Sequence, residues 1–143
     1  MSATPHPRLQ NSLCDLLGVK YPIIQTGMGW VAGPKLVSAT ANAGAFGILA
    51  SATMDLDQLK SSIAEVKSRT TKPFGVNLRA DSADVKDRIS LMIDEGIKVA
   101  SFAQAPKPEL ISRLKDAGVV VIPSIGAKRH ELRILRSYIY FRN

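Results

Sequence analysis

Three times in the middle of this chain a helical pattern ends in a small or acidic residue, then glycine, then a short apolar run. The phrase reads Asn42-Ala43-Gly44 ahead of Phe46-Gly47-Ile48-Leu49, Asp94-Glu95-Gly96 ahead of Val99-Ala100-Ser101-Phe102, and Asp116-Ala117-Gly118 ahead of Val119-Val120-Val121-Ile122. Glycine closes a helix in the left-handed conformation without steric penalty. So short an apolar run, without alternation, suits a strand buried on both faces. Repetition of the pair means helices alternating with parallel strands, an α/β architecture.

Between the runs, apolar residues recur at helical spacing. Asp55, answered three residues later by Gln58, has the form of a capping box and opens a helix with Leu56, Leu59, Ile63 and Val66 on one side. Ser82 or Asp84 opens the next, with Val85, Ile89, Met92 and Ile93 inward. Pro108 suits the first turn of a third, carrying Leu110, Ile111 and Leu114, and another follows Gly33-Pro34 with Leu36, Val37 and Ala41. Strands are then predicted at 21–25, 46–50, 74–78, 99–102 and 119–123, their starts roughly 20 to 28 residues apart as βαβ units require. Two architectures fit one domain of 143 residues. Length favours a complete five-stranded doubly wound sheet, because a barrel takes about 250 residues. The residues at the strand ends favour the first five units of an eight-unit barrel.

Those carboxyl ends, where parallel sheets bind ligands, read Gln25-Thr26-Gly27-Met28-Gly29-Trp30, Ala50-Ser51, Asn77-Leu78-Arg79, Phe102-Ala103-Gln104 and Pro123-Ser124-Ile125-Gly126. Nearly all are small, amide or hydroxyl residues. Gly27 and Gly29 remove side chains where a flat ring can lie against backbone, and Met28 offers it a polarizable surface. A plain strand-to-loop turn with Met28 filling core space reads the same residues equally. The Asn77 amide either fixes a ring edge or satisfies loop backbone.

Other chemistries find little footing. No Walker A motif occurs, and Gly27, Gly29 and Gly33 are spaced one residue too long for the dinucleotide fingerprint. His6, His130 and Cys14 lie in separate segments, which argues against a metal site, and the single cysteine reads as helix packing in a reducing compartment. The net charge of +7 divides into +4 over the last sixteen residues and +3 over the rest, with no basic stripe interleaved with aromatics, so nucleic acid is not the expected partner. Residues 1–10 lack the apolar core of a signal peptide and no run approaches a membrane span, so a cytoplasmic protein without membrane partners is expected.

The segments PIIQTGMGWVAGPKLVSATANAGAFGIL, KPFGVNLRA and VVVIPSIGA together resemble the nitronate monooxygenase family, formerly the 2-nitropropane dioxygenases, over about Leu13 to His130. The resemblance implies a partial TIM-type (β/α)8 barrel of about five βα units, with the C-terminal half missing. It implies FMN as cofactor and oxidation of alkyl nitronates or nitroalkanes with O2. Gly27, Met28 and Asn77 carry over as flavin-ring contacts; Gln25, Gly29, Gly47, Lys128 and Ser124 are further candidates. The implied division is residues 1–130 as barrel and 131–143 as an atypical basic and aromatic tail. Family members continue with a GG-x-x-GGH segment bearing the active-site His and with phosphate-gripping glycine loops, whereas LRILRSYIYFRN stands here. No catalytic residue is therefore assigned, and a shortened frame and a genuine short protein stay open. The alternatives are an FMN-dependent enoyl reductase-like protein, or a non-catalytic half-barrel that self-associates through its open edge, with Ile134, Leu135, Tyr138, Ile139, Tyr140 and Phe141 as possible cover.

Overall fold

The structure, a computed structural model, describes residues 6–126. Lys128 and the 131–143 tail lie outside the described residues. Helix α1 (Ser12–Leu17) precedes five strands alternating with four helices: β1 (Ile24–Gln25), α2 (Pro34–Asn42), β2 (Phe46–Ala50), α3 (Leu56–Arg69), β3 (Phe74–Leu78), α4 (Val85–Asp94), β4 (Val99–Phe102), α5 (Pro108–Asp116) and β5 (Val120–Pro123). All neighbours pair in parallel, and the strand order is β1-β2-β3-β4-β5. A doubly wound sheet must reverse its strand order at a switch point. This sheet never does, so the five units form a half-barrel.

Local chemistry sets the boundaries. The Asp55 carboxylate accepts from the Gln58 N–H at 2.8 Å while the Gln58 side chain accepts from the Asp55 N–H at 3.0 Å, the reciprocal cap that starts α3. Pro34 and Pro108 occupy the first turns of α2 and α5. The three glycines of the repeated phrase adopt positive φ: 92° at Gly44, 66° at Gly96 and 73° at Gly118. Asp84 stands at the N-cap of α4 without capping it, its carboxylate being engaged by Arg88 and Ser82.

Two strands begin later than the sequence pattern predicts. The Lys20 and Tyr21 N–H groups both donate to Gly44 O, the Ile23 N–H turns back to Tyr21 O, and Pro22 has no N–H, so pairing starts only at Ile24. At β5 the Val119 N–H is held by Leu114 O, part of the end of α5.

The main core lies between sheet and helices, where Leu49, Val76, Leu78, Ala100 and Phe102 meet Val37, Leu59, Ile63, Val66, Ile89, Met92 and Leu114. On the other, concave face Phe46, Ile48 and Val99 pack with Leu17 of α1, flanked by Val120 and Ile122. The Cys14 thiol is buried in α1 and donates to Leu9 O at 3.4 Å, a packing role. Ile23 and Ile24 stay 60% and 37% exposed along the open edge at β1. Among the described residues no helix is long and apolar enough to cross a membrane.

Candidate functional site

The carboxyl ends of β1, β2, β3 and β4 converge through short contacts. A Cβ built on Gly27 would lie 2.4 Å from Asn77 Cβ and 2.9 Å from its Cγ, so bare backbone is pressed against the Asn77 side chain. Asn77 Nδ2 donates to Ser101 Oγ at 3.1 Å, and Ser51 Oγ donates to Asn77 O at 2.6 Å. Ser51 is fully buried and Ser101 nearly so. Gln25 Nε2 donates to Ile48 O at 3.1 Å and also to Thr26 O. Its Oε1 is buried and, among the described side chains, is the buried polar atom left without a partner. An orphaned buried acceptor is rare in proteins and calls for a donor from elsewhere.

The loop carrying these glycines is internally tied. The Val31 and Ala32 N–H groups donate to Met28 O at 3.1 and 2.8 Å, and the Ala50 N–H at the end of β2 donates to Ala32 O at 3.0 Å. Gly29 meets the second loop, where a Cβ would rest 3.5 Å from Thr53 Cγ2. Met28 and Trp30 face solvent, 39% and 88% exposed.

That second loop is fastened from behind by Arg88, a residue only 7% exposed. Its Nη1 donates to Ser51 O at 2.8 Å, Nη2 to Met54 O at 2.6 Å, and Nε to Asp84 Oδ2 at 2.8 Å. The hydrogen bond from Arg88, then that from Ser82, lowers the Asp84 carboxyl to about 2.

Structure thus brings Gln25, Gly27, Met28 and Asn77 into one neighbourhood. Gly47 is placed differently. A Cβ there would stand 2.7 Å from Val37 O and 3.0 Å from Val37 Cα, so this glycine lets α2 seat on the sheet. Ser124 is exposed at the end of β5, its N–H held by Phe102 O at 2.9 Å. Sequence reasoning did not single out Ser51, Ser101 or Arg88. The two serines carry no local signal, since their partner Asn77 lies 26 and 24 residues away, and of the Arg88 partners only Asp84, four residues back, is local.

Gln25, Ser51, Asn77 and Ser101 are neutral hydrogen-bonding groups around bare backbone. Such a set orients a planar polar ligand but offers no acid, base or nucleophile of matched strength, which suits a site where a cofactor carries the reaction. The donor set is compatible in chemistry with an isoalloxazine, whose pyrimidine edge presents an N–H donor beside two carbonyl acceptors, and the Gln25 Oε1 lacks a donor.

A family model described as nitronate monooxygenase matches residues 10–138. The chain is 64% identical over 127 residues to the (3aS,4S,5R,7aS)-5-hydroxy-7a-methyl-1-oxo-octahydro-1H-indene-4-carboxyl-CoA dehydrogenase of Mycobacterium tuberculosis, covering 89% of this chain and 36% of the relative. The protein of the same name in Rhodococcus jostii is 60% identical over 126 residues, covering 88% and 36%. This chain therefore spans little more than a third of these relatives' length, 36% of each. Among solved structures, FabK from Thermotoga maritima superposes with a TM-score of 0.85 at 33% identity, covering 90% of this chain and 41% of that one.

Proposed function

The chain belongs to the nitronate monooxygenase family, and on that premise we propose that it is the flavin-facing, amino-terminal portion of an FMN-dependent dehydrogenase acting on a CoA thioester of a fused bicyclic hydroxy acid. The observation that carries this reading is the 64% identity over 127 residues to a relative bearing that dehydrogenase name. Nitronate oxidation with O2, expected from the family resemblance, gives way to it, because both relatives at 60–64% identity are named for the CoA ester.

Bound FMN supplies a two-electron acceptor. The chain's own residues hold and orient the ring. Gly27 leaves backbone bare beside Asn77; Met28 would offer its thioether to a ring face, and Gln25 Oε1, which has no partner among the described residues, would accept a hydrogen bond from the ring's N–H. Asn77 is kept in one rotamer by Ser101, and its backbone is anchored by Ser51. Positioning within tenths of an ångström is what such a site contributes to rate.

The test is titration of the purified chain with FMN, followed by anaerobic addition of the bicyclic hydroxyacyl-CoA or of propyl nitronate. The expected result is stoichiometric FMN whose visible absorption bleaches with the CoA ester. Bleaching by the nitronate alone would restore the nitronate reading, and failure to take up FMN would remove both.

A further inference from the structure

Trp30 is the chain's one tryptophan. It is 88% exposed, and among the described residues it is the one non-glycine with positive φ, at 65°. A bulky side chain in the left-handed region is disfavoured, and exposing an indole forgoes its burial. Neither penalty follows from packing, and strain of this kind gathers where a ligand is clamped. The hydrogen bonds of the Val31 and Ala32 N–H groups to Met28 O close the backbone turn that carries the indole.

Beside it opens a cavity of about 310 Å³, bordered by Trp30, Ala32, Thr53, Met54, Gln58 and Ser62. That volume is at the small end for ligand sites and takes one planar bicycle rather than a whole coenzyme. No charged side chain lines it, so it suits an uncharged base and not a phosphate. Its polar members are two hydroxyls and an amide, and the Gln58 Oε1 already accepts from the Asp55 N–H, which leaves the Gln58 Nε2 as a donor. Thr53 also borders Gly29, so the cavity adjoins the loop assigned above to the flavin.

We propose that this cavity is the adenine subsite for the CoA end of the substrate, with the base stacked on the Trp30 indole and its edge read by Thr53, Gln58 and Ser62. The inference rests on the acyl-CoA reading and deepens it. From here the pantetheine arm leads over Gly29 toward the flavin-facing loop. Stacking of a base on an aromatic ring makes Trp30 the dominant contact.

The test uses the full chain and Trp30→Gly, because glycine removes the indole and relieves the left-handed backbone together. Binding of CoA, adenosine 3′,5′-bisphosphate and pantetheine is measured by calorimetry, with tryptophan fluorescence as a second readout on the unaltered chain. CoA and the bisphosphate are expected to quench Trp30, and pantetheine is not. Trp30→Gly is expected to bind CoA roughly fivefold to a hundredfold more weakly while melting no lower than the unaltered chain. A Trp30→Gly chain that melts lower assigns the indole to packing and overturns the proposal. So does quenching by pantetheine but not by the bisphosphate. CoA binding unaffected by Trp30→Gly sinks the adenine site alone, whereas a chain that binds no CoA at all sinks the acyl-CoA reading with it.

Discussion

Replacing Gly27 by alanine tests the contact on which the candidate site is built. The new Cβ would lie 2.4 Å from Asn77 Cβ, and neither atom is the far end of a flexible side chain. Carbon atoms rest about 3.5–4.0 Å apart, so the loop or β3 must move by roughly 1 Å. Overpacking of this kind costs about 1–3 kcal/mol, and the stiffer unfolded chain offsets about 0.4–1 kcal/mol of that. A net loss of about 1–2 kcal/mol lowers the melting temperature of a chain this size by about 2–8 °C. If the loop faces FMN, affinity falls at least about tenfold, equivalent to ~1.4 kcal/mol. Gly29→Ala is the stability control, since its Cβ meets Thr53 Cγ2 at an ordinary 3.5 Å; it should leave stability nearly unchanged. Asn77→Gly removes the obstructing atoms, so the Gly27→Ala/Asn77→Gly pair should cost less than the sum of its singles by roughly 0.5–3 kcal/mol. Urea denaturation and flavin titration of the four chains read both quantities. Gly27→Ala behaving like Gly29→Ala would refute the reasoning.

Arg88→Met strands the Ser51 and Met54 carbonyls and a charged Asp84, and should destabilise by about 3–5 kcal/mol in urea unfolding; a loss below ~1 kcal/mol would mean that the clasp is replaceable. Asp84 has its carboxyl lowered to about 2 from 3.8, so its stabilising contribution is complete above the unfolded value and is lost as pH falls through the folded one. Urea midpoints measured from about pH 5 to 2 should decline over that window, and Asp84→Asn should flatten the decline. Gly47→Ala drives a Cβ into Val37 O at 2.7 Å and should cost about 1–3 kcal/mol while leaving flavin affinity of the folded chain intact, as expected of a helix-seating residue. Asp55→Ala removes half of the α3 capping box and should cost about 0.5–2 kcal/mol by thermal melting.

Where sequence and structure agree, the signal was local. The strands at Phe46–Ala50, Phe74–Leu78 and Val99–Phe102 fall where the apolar runs put them, because each is buried on both faces and needs no partner information to be recognised. β1 shrinks to two residues because the Tyr21 N–H is diverted to Gly44 O, a contact across 23 residues that no window could reveal, and the Ile23 N–H turns back to Tyr21 O. The doubly wound alternative was settled by strand order, which is long-range information. Gly47 shows the limit most plainly. A glycine in a buried strand announces close approach of something, but period-two alternation without coordinates does not say whether that neighbour is a ligand on one face or a helix on the other. At Gly27 a Cβ would meet the Asn77 side chain, a neighbour 50 positions along that is equally invisible to local pattern.

The geometry behind the mouth explains how a two-residue strand and an exposed loop keep their place. β1 shares only the Ile24–Phe46 and Gln25–Gly47 register with β2, too little to fix the loop that follows. Its loop is instead held by Ala32 O on the Ala50 N–H and by Gly27 against Asn77. Asn77 is braced by Ser51 and Ser101, and the Ser51 carbonyl is held by Arg88 on α4, whose neighbours Ile89 and Met92 are fully buried. Ser51 is fully buried and Arg88 nearly so, so rigidity passes from the helix layer to the least paired strand through the Arg88, Ser51 and Asn77 side chains. A neutral cradle assembled this way presents one geometry to a planar ligand, and loosening any of its supporting links should blur that geometry.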